Sequence, residues 1–509
     1  VIDAGQISAV VGCGGLALLI AAPRREVRIV GLAAWAAGLG GLVFDLAPEV
    51  ARSRLAAAAV AGVVLAAVGG WLLNRYPYLL AFATLACLPA RVPVELGDEE
   101  ANLLIPLYGV VAAYAVALGW QLAVRRDQRS RELGPIALPL ALFVGWVGVA
   151  TLWADDLREA AIFVGAFVLP FGLIAVGIAR LPWRGRWLTW LWVGLVGTAL
   201  AYATVGLYQW VTRDVFWNPK VIVGNAYAPY FRVNSVFWDP SIYGRYLAVG
   251  ILTALAGILL GGVKGRKLVG LYAVIVALWL ALFFTFSQSS YVALAVGVVV
   301  AAIVVWRWRA VAGGALLAVL VVAGTLALPD VRGRLIDEGR SGFDAVTSGR
   351  ASLVGQGVRI AAGSPLGGVG TGGFKRAYAD RVGLRGEDPK KAASHTTPVT
   401  IAAEGGIVGL ALFAWLLLAA FVATLRRLGH GFTSRVSFAV ALTLLAIAVH
   451  SLFYNAFFED PMTWALFGFV ALAASVPRRP MEQEIGEPAP VPAAEPERTP
   501  EPAAAGGSS

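Results

Sequence analysis

The chain reads as an all-α protein, a bundle of membrane-crossing helices carrying one large polar excursion. Three observations predict that class. Of its 509 residues 59% are hydrophobic and 14% charged, with a mean hydropathy of +0.74, a balance that requires a bilayer as solvent. The apolar residues are grouped in runs of roughly 17 to 25, the length that carries a helix across the hydrocarbon core. Basic residues collect in the short gaps between those runs, the pattern of positively charged cytoplasmic loops.

About fifteen such runs follow one another, a count that spacing alone fixes to one or two. They fall near residues 5–22, 27–46, 52–73, 76–90, 103–124, 135–153, 158–180, 187–212, 240–262, 267–286, 289–306, 310–328, 406–425, 434–456 and 462–477. The run at 76–90 is the shortest of the early ones. The first run lacks a basic leader and a small-residue cleavage site, so it is expected to be a permanent span. The organisation that results is a set of helices over 1–328, a loop domain over 329–397, further helices over 398–477, and a tail over 478–509 rich in Pro, Ala and Glu and expected to be disordered.

Orientation follows from the gaps. Arg24-Arg25, Arg125-Arg126, Arg184 to Arg186, Lys264 to Lys267, Arg307 to Arg309, Arg426-Arg427 and Arg478-Arg479 mark cytoplasmic connectors. The alternate connectors, with Glu95 to Glu100, Asp155-Asp156, Asp214 to Pro240, the long excursion and Glu459-Asp460, then face outward, and the tail is cytoplasmic. The net charge of +10 is spent in these loops and forms no continuous basic face, which excludes nucleic acid as a partner and leaves membrane lipids. Cys13 and Cys87 both lie in apolar runs, so neither a disulfide framework nor a zinc set stands in the outer domain.

Chemistry concentrates on the outward side. The excursion carries Arg332, Arg334, Arg340, Arg350, Arg359, Arg376 and Arg381 among glycines and acids, and ends at Ser394-His395-Thr396-Thr397-Pro398. Thr397 reads as an N-cap with Pro398 in the first turn, and Gly405-Gly406 as a break before the next span. His395 then precedes a helix N-terminus, whose positive end disfavours a charged imidazolium and favours the neutral base. A histidine that merely caps an interfacial loop has the same appearance in sequence.

A second constellation is Phe231-Arg232-Val233-Asn234-Ser235-Val236-Phe237-Trp238-Asp239-Pro240, with Tyr243-Gly244-Arg245 at the mouth of the next span. An arginine there suits a diphosphate through its bidentate fork, and equally suits a snorkelling contact with headgroups. Gly368, Gly370 and Gly373 spell the letters of a dinucleotide loop, but no strand precedes them, so a nucleotide fold is rejected and a tight turn is favoured. Thr285 to Ser290 either lines a cavity or forms a hydrated hairpin. His450 is expected to pack through a hydrogen bond, and His430 to be inert in a basic loop. No outward carboxylate set has divalent-metal spacing, so chemistry without a metal or other cofactor is expected.

The segments FRVNSVFWDP, SPLGGVGTGGF and SHTTPVTIAAEGGIVG resemble those of the O-antigen ligase and polymerase superfamily. In the last, a histidine, a small polar residue and nine further residues lead to Gly406-x-x-Gly409. The resemblance runs over roughly residues 185 to 477; the first 180 match only as generic spans. It implies transfer of a glycan from an undecaprenyl-diphosphate carrier to a lipid or glycan acceptor at the outer face of a bacterial inner membrane. Carried over by position, Arg232 and Arg350 would hold the diphosphate and His395 would act as base, with Arg245 and Arg359 the next candidates. Thr396 departs from the usual Asn, Ser or Gln, and Gln288 stands where many relatives have arginine. Ligase and polymerase are not separated by these motifs. A cell-wall polymerase would be expected to place an acid where His395 stands, and a flippase to show charges at mid-membrane or internal repeats.

Overall fold

The computed structural model describes residues 2–46, 49–96, 99–182, 186–228, 230–260, 263–309, 312–313, 350–383, 396–426, 428 and 432–475, with 49–60, 93–102, 350–351 and 432 described by backbone alone. The early helices are α1 (Ala4–Ala21), α2 (Arg25–Leu46), α3 (Glu49–Arg75), α4 (Leu79–Cys87), α5 (Ile105–Ala123) and α6 (Ala137–Ala150). Next come α7 (Leu157–Ile162), α8 (Leu169–Ala179), α9 (Trp187–Thr212), α10 (Pro219–Tyr227), α11 (Pro240–Leu259), α12 (Arg266–Phe283) and α13 (Gln288–Trp306). The last five are α14 (Arg350–Gly363), α15 (Phe374–Val382), α16 (Thr397–Leu425), α17 (Phe432–His450) and α18 (Pro461–Ser475). A two-stranded antiparallel hairpin, β1 (Val92–Leu96) with β2 (Glu99–Leu103), joins α4 to α5.

Among the described residues, 11 helices are long and apolar enough to cross a membrane, and the apolar helices Ala61–Arg75 and Pro461–Ser475 are shorter. The chain is therefore a multi-pass helical membrane protein. The apolar run at 76–90 forms only the nine-residue α4, too short to cross. All but 312–313 of the run at 310–328, residues 329–349 and 384–395 of the excursion, and the tail from 476 lie outside the described residues. Val269, Tyr272, Val276, Trp279 and Phe283 make an exposed apolar stripe along α12, the surface a helix presents to lipid. Trp464, Phe467, Phe171 and Leu169 are buried at the centre of the largest core, where α18 packs on α8.

Two local breaks shape one end of this bundle. Between α7 and α8 the chain is a π-helix over Phe163–Val168, and Pro170 supplies the cause. Its ring conflicts with the carbonyl four residues back and its nitrogen has no hydrogen to donate there. That carbonyl, on Ala166, accepts from the Tyr108 hydroxyl at 3.0 Å. The second break is at Gly406, whose φ of 63° and ψ of −162° interrupt α16. Thr396 is the N-cap there, one residue before the expected Thr397, and Pro398 lies in the first turn. The break ahead of the span falls where Gly405-Gly406 predicts it.

A cluster of charges holds the loop 124–136 against the bundle at another place. Arg28 and Arg180 are buried. Arg28 pairs with Glu132 at 2.8 Å, and Arg180 pairs with Asp127 at 2.7 Å and also with Glu132. Partial burial pushes the Asp127 carboxyl up, but hydrogen bonds from Arg129 and the nearby Arg180 charge outweigh it and hold the group down at about 2. The stability this group contributes is present above its ordinary value of 3.8 and lost as pH falls from there through about 2. Glu132 joins both buried guanidinium groups, and removing it leaves two buried cations short of an anion. Glu132→Ala is expected to destabilise the folded chain by about 3–5 kcal/mol, read as a fall in thermal midpoint in detergent. A midpoint within a degree of the parent would show that the cluster is solvated and carries no weight.

Candidate functional site

At the broken end of α16 the segment Pro365 to Thr371 lies across the helix. Val369 N–H donates to the Ala403 carbonyl at 2.8 Å and Gly370 N–H to the Glu404 carbonyl at 3.0 Å, while Ile407 N–H donates to the Pro365 carbonyl at 2.8 Å. These are the groups that an uninterrupted helix would have paired with one another. Trp146 Nε1 reaches the Gly405 carbonyl at 2.9 Å, so the kink leaves little backbone without a partner. Gly368, Gly370 and Gly372 all have positive φ. A Cβ on Gly370 would stand 2.5 Å from Ala154 Cα, and one on Gly406 would stand 2.2 Å from the Leu366 carbonyl oxygen. The glycine run is thus a tight turn that presses backbone against backbone.

Beneath this plug is a cavity of ≈ 340 Å³. Trp146, Phe163, Phe167, Phe374, Phe457 and Phe458 give it aromatic walls, two of them from the π segment that Pro170 imposes. Thr397, Thr400, Glu404 and Gly405 line it from the first turns of α16, Glu159 from α7, Lys375 from α15, and Asn455 and Glu459 from the turn after α17. Lys375 Nζ lies 2.5 Å from Glu159 Oε1, and Phe374 N–H donates to Glu404 Oε1 at 3.3 Å. Burial pushes the Glu459 carboxyl up to about 7, with Glu159 acting in the same direction and Arg91, Lys375 and Arg245 opposing it.

The turn that carries Glu459 also reaches a buried polar knot. Asp460 Oδ2 pairs with Arg245 Nη2 at 2.5 Å, and Asp460 Oδ1 accepts from Met462 N–H at 2.9 Å, capping α18. Arg245 is buried, and its Nε and Nη1 have no hydrogen-bond partner among the described residues. His450 Nε2 lies 3.0 Å from Ser289 Oγ, the hydrogen-bonded packing expected of it. Ser287 Oγ joins Ser289 Oγ at 3.1 Å and Ser290 Oγ at 2.8 Å, so these three hydroxyls form a buried chain beside the exposed Gln288. Burial and the facing Asp239 carboxylate push the Tyr454 phenol up.

Arg232 sits at the edge of the same knot. Its Nε donates to the Thr285 carbonyl at 2.9 Å, and Asn225 brackets its backbone with bonds of 2.9 Å to N–H and carbonyl. Gln209 holds the neighbouring Ser235, which has a φ of 54°, through Ser235 N–H at 2.7 Å and the Ser235 carbonyl at 3.0 Å. Arg232 thus meets the hydroxyl chain at the Thr285 carbonyl, while Arg245 is held by Asp460. Arg350 is the first residue of α14, its side chain undescribed, and Arg359 is exposed on that helix. His395 lies outside the described residues.

Sequence reasoning did not single out Glu159, Lys375, Glu404 or Glu459. Glu404 stands in the quoted signature two residues before the break, and Glu459 follows two phenylalanines at a helix mouth. A carboxylate in such apolar company is a signal that could have found both.

A broken helix, a glycine plug and a mixed aromatic and carboxylate cavity make this a multi-pass membrane protein with a built site at one end. Residues 273–414 match the family model described as O-antigen ligase, which bears out the resemblance over that stretch. The match supports a glycosyltransferase-like membrane enzyme of ligase or polymerase type. No curated protein matches the chain.

Glu459 generates a pH prediction. A carboxyl that keeps its proton to about 7 when folded, against an ordinary value of 4.5, favours folding at low pH, and that contribution is lost as pH rises from 4.5 through about 7. Glu459→Gln cannot ionise. It is expected to melt with the parent at pH 5 and above it at pH 8; an equal offset at both pH values would rule out a buried, proton-holding Glu459.

Proposed function

We propose that the chain is a membrane glycosyltransferase that moves an oligo- or polysaccharide from an undecaprenyl-diphosphate carrier to an acceptor hydroxyl, at the outer face of a bacterial cytoplasmic membrane. The observation that carries this reading is the O-antigen ligase match over 273–414. Within its described part that stretch holds the hydroxyl chain at Ser287 to Ser290, the glycine plug and the Glu404 side of the cavity.

In this reading the acceptor O–H breaks as its oxygen bonds the anomeric carbon, and the carbon–oxygen bond to the diphosphate breaks in turn. Neutral His395 takes the proton, and Arg232 and Arg350 stabilise the charge left on the departing diphosphate. Arg245 supports the knot through Asp460 and directs its remaining N–H groups to the same anion, with Arg359 a more distant contact. The supply of guanidinium charge makes a metal unnecessary.

Purified protein in lipid nanodiscs, given carrier-linked glycan and either a glycolipid or a second carrier-linked glycan, tests the reading by the mass shift of the acceptor. The two acceptors separate ligase from polymerase, and no shift with either would sink both. His395→Ala is expected to lower the rate by about 10²- to 10⁴-fold, the usual contribution of a general base, with an unchanged thermal midpoint. Near-parental turnover would remove His395 from the mechanism. Exhaustive chelation is expected to leave the rate unchanged; loss with EDTA and recovery with a divalent ion would replace the arginines by a metal.

A further inference from the structure

We propose that α10, with the aromatic residues on either side of it, lies flat in the headgroup layer of the bilayer and takes lipid as its partner. The leaflet is the one at which α9 ends and α11 begins, the outer one in the reading above. Only the consequence for Arg232 rests on the glycosyl-transfer reading; the placement of the helix rests on its own residues.

The sequence of α10, PKVIVGNAY, makes a helix about 14 Å long, too short to cross a bilayer. Its polarity is inverted. Asn218, the N-cap, is buried and donates through Nδ2 to the Trp238 carbonyl at 2.6 Å. Asn225 is half-buried, with both ends of its amide bonded to the Arg232 backbone. These polar side chains turn toward the body of the protein, and the half-buried Val221 and Ala228 share that side. The opposite face is apolar: Ile222, Val223 and Tyr227 are exposed, Val223 to 56% and Tyr227 to 87%. Lys220 is the one charged residue of the helix. A surface helix in water carries its polar side chains outward, so an outward face of this composition has lipid as its solvent.

That face continues the lipid-facing surface of the bundle on both sides. Tyr208 and Val211 are exposed on the last turns of α9, and Phe216 and Trp217 are exposed just ahead of α10. Beyond α10 the exposed Tyr230 stacks on Phe286 with ring centroids 4.5 Å apart. The Phe286 ring lies in turn 5.9 Å from that of Phe283, the last residue of the exposed stripe along α12. Tyrosine and tryptophan gathered at the ends of spans are the composition of the membrane–water boundary, where an apolar ring and a polar tip are both satisfied. A protein partner would suit the apolar face, but only lipid suits its continuity with the stripe of α12. Because Asn225 brackets the Arg232 backbone, the depth of α10 sets the depth of Arg232. The guanidinium is then held at the level where an anion carried on a lipid presents itself.

Nitroxides attached at Val223→Cys and Tyr227→Cys, each in a Cys13→Ala, Cys87→Ala background in nanodiscs, test the placement. The readout is the collision rate with oxygen, which partitions into lipid, against that with a water-soluble nickel chelate. A label at Val276→Cys, on the α12 stripe, is the lipid standard. Both α10 labels are expected to collide more with oxygen than with nickel, at a ratio between equality and that of the Val276 label. A water-like ratio at either position overturns the placement, and so do few collisions with either reagent, the mark of a protein cover. If the background does not fold, hydroxyl-radical footprinting of the natural chain in nanodiscs decides: Tyr227 is expected to escape oxidation, and its modification overturns the proposal. Asn225→Ala is expected to raise the KM for carrier-linked glycan about tenfold, the scale of two uncharged hydrogen bonds, with kcat near parental. An unchanged KM overturns the link to Arg232. Absence of transfer by the parent chain would sink the glycosyl-transfer reading and leave the placement to the labels, which need no carrier.

Discussion

The interruption of α16 at Gly406 is the constraint on which the rest of the site depends. A helix cannot be broken inside a membrane protein unless every freed carbonyl and amide finds another partner. Here those partners come from the backbone of Pro365 to Thr371 and from Trp146. The exchange fixes the plug on the helix, and the plug in turn carries Phe374 and Lys375 to the cavity edge. Glycine is required because the two backbones approach to within the space of a methyl group.

A second backbone irregularity serves the opposite wall. Pro170 forces the π segment, Tyr108 satisfies the carbonyl it frees, and the altered winding sets Phe163 and Phe167 into the cavity. Both irregularities border the same cavity, and each is compensated by identifiable hydrogen-bonding groups, Tyr108 for the π segment and the Pro365 to Thr371 backbone with Trp146 for the break. The charges follow the same economy. Arg245 is matched by Asp460, Lys375 by Glu159, and Arg28 and Arg180 by Glu132 and Asp127, since an isolated buried ion would unfold its surroundings.

The helical class, most spans and the break at Gly405-Gly406 were legible in the sequence. Apolar length is a local property, and so is the preference of threonine and proline for a helix start. The segment TIAAEGGIVG was legible too, because it keeps its pattern in a few consecutive residues inside the matched stretch. The same locality explains where reading failed. The run at 76–90 had the composition of a span, but its helix stops after nine residues, and composition does not register where a chain turns.

What the sequence determined by itself was that this chain lies in a membrane as helices, and which short segments carry polar chemistry. Only the tertiary structure decided that Glu159, Lys375, Glu404 and Glu459, drawn from four separate elements, share one cavity, and that Arg245 is held by Asp460 more than two hundred residues away. The physical reason is that a charge's partner is chosen by packing. Hydropathy and spacing are fixed by neighbours in the chain, whereas desolvation, ion pairing and a shifted carboxyl are fixed by neighbours in space.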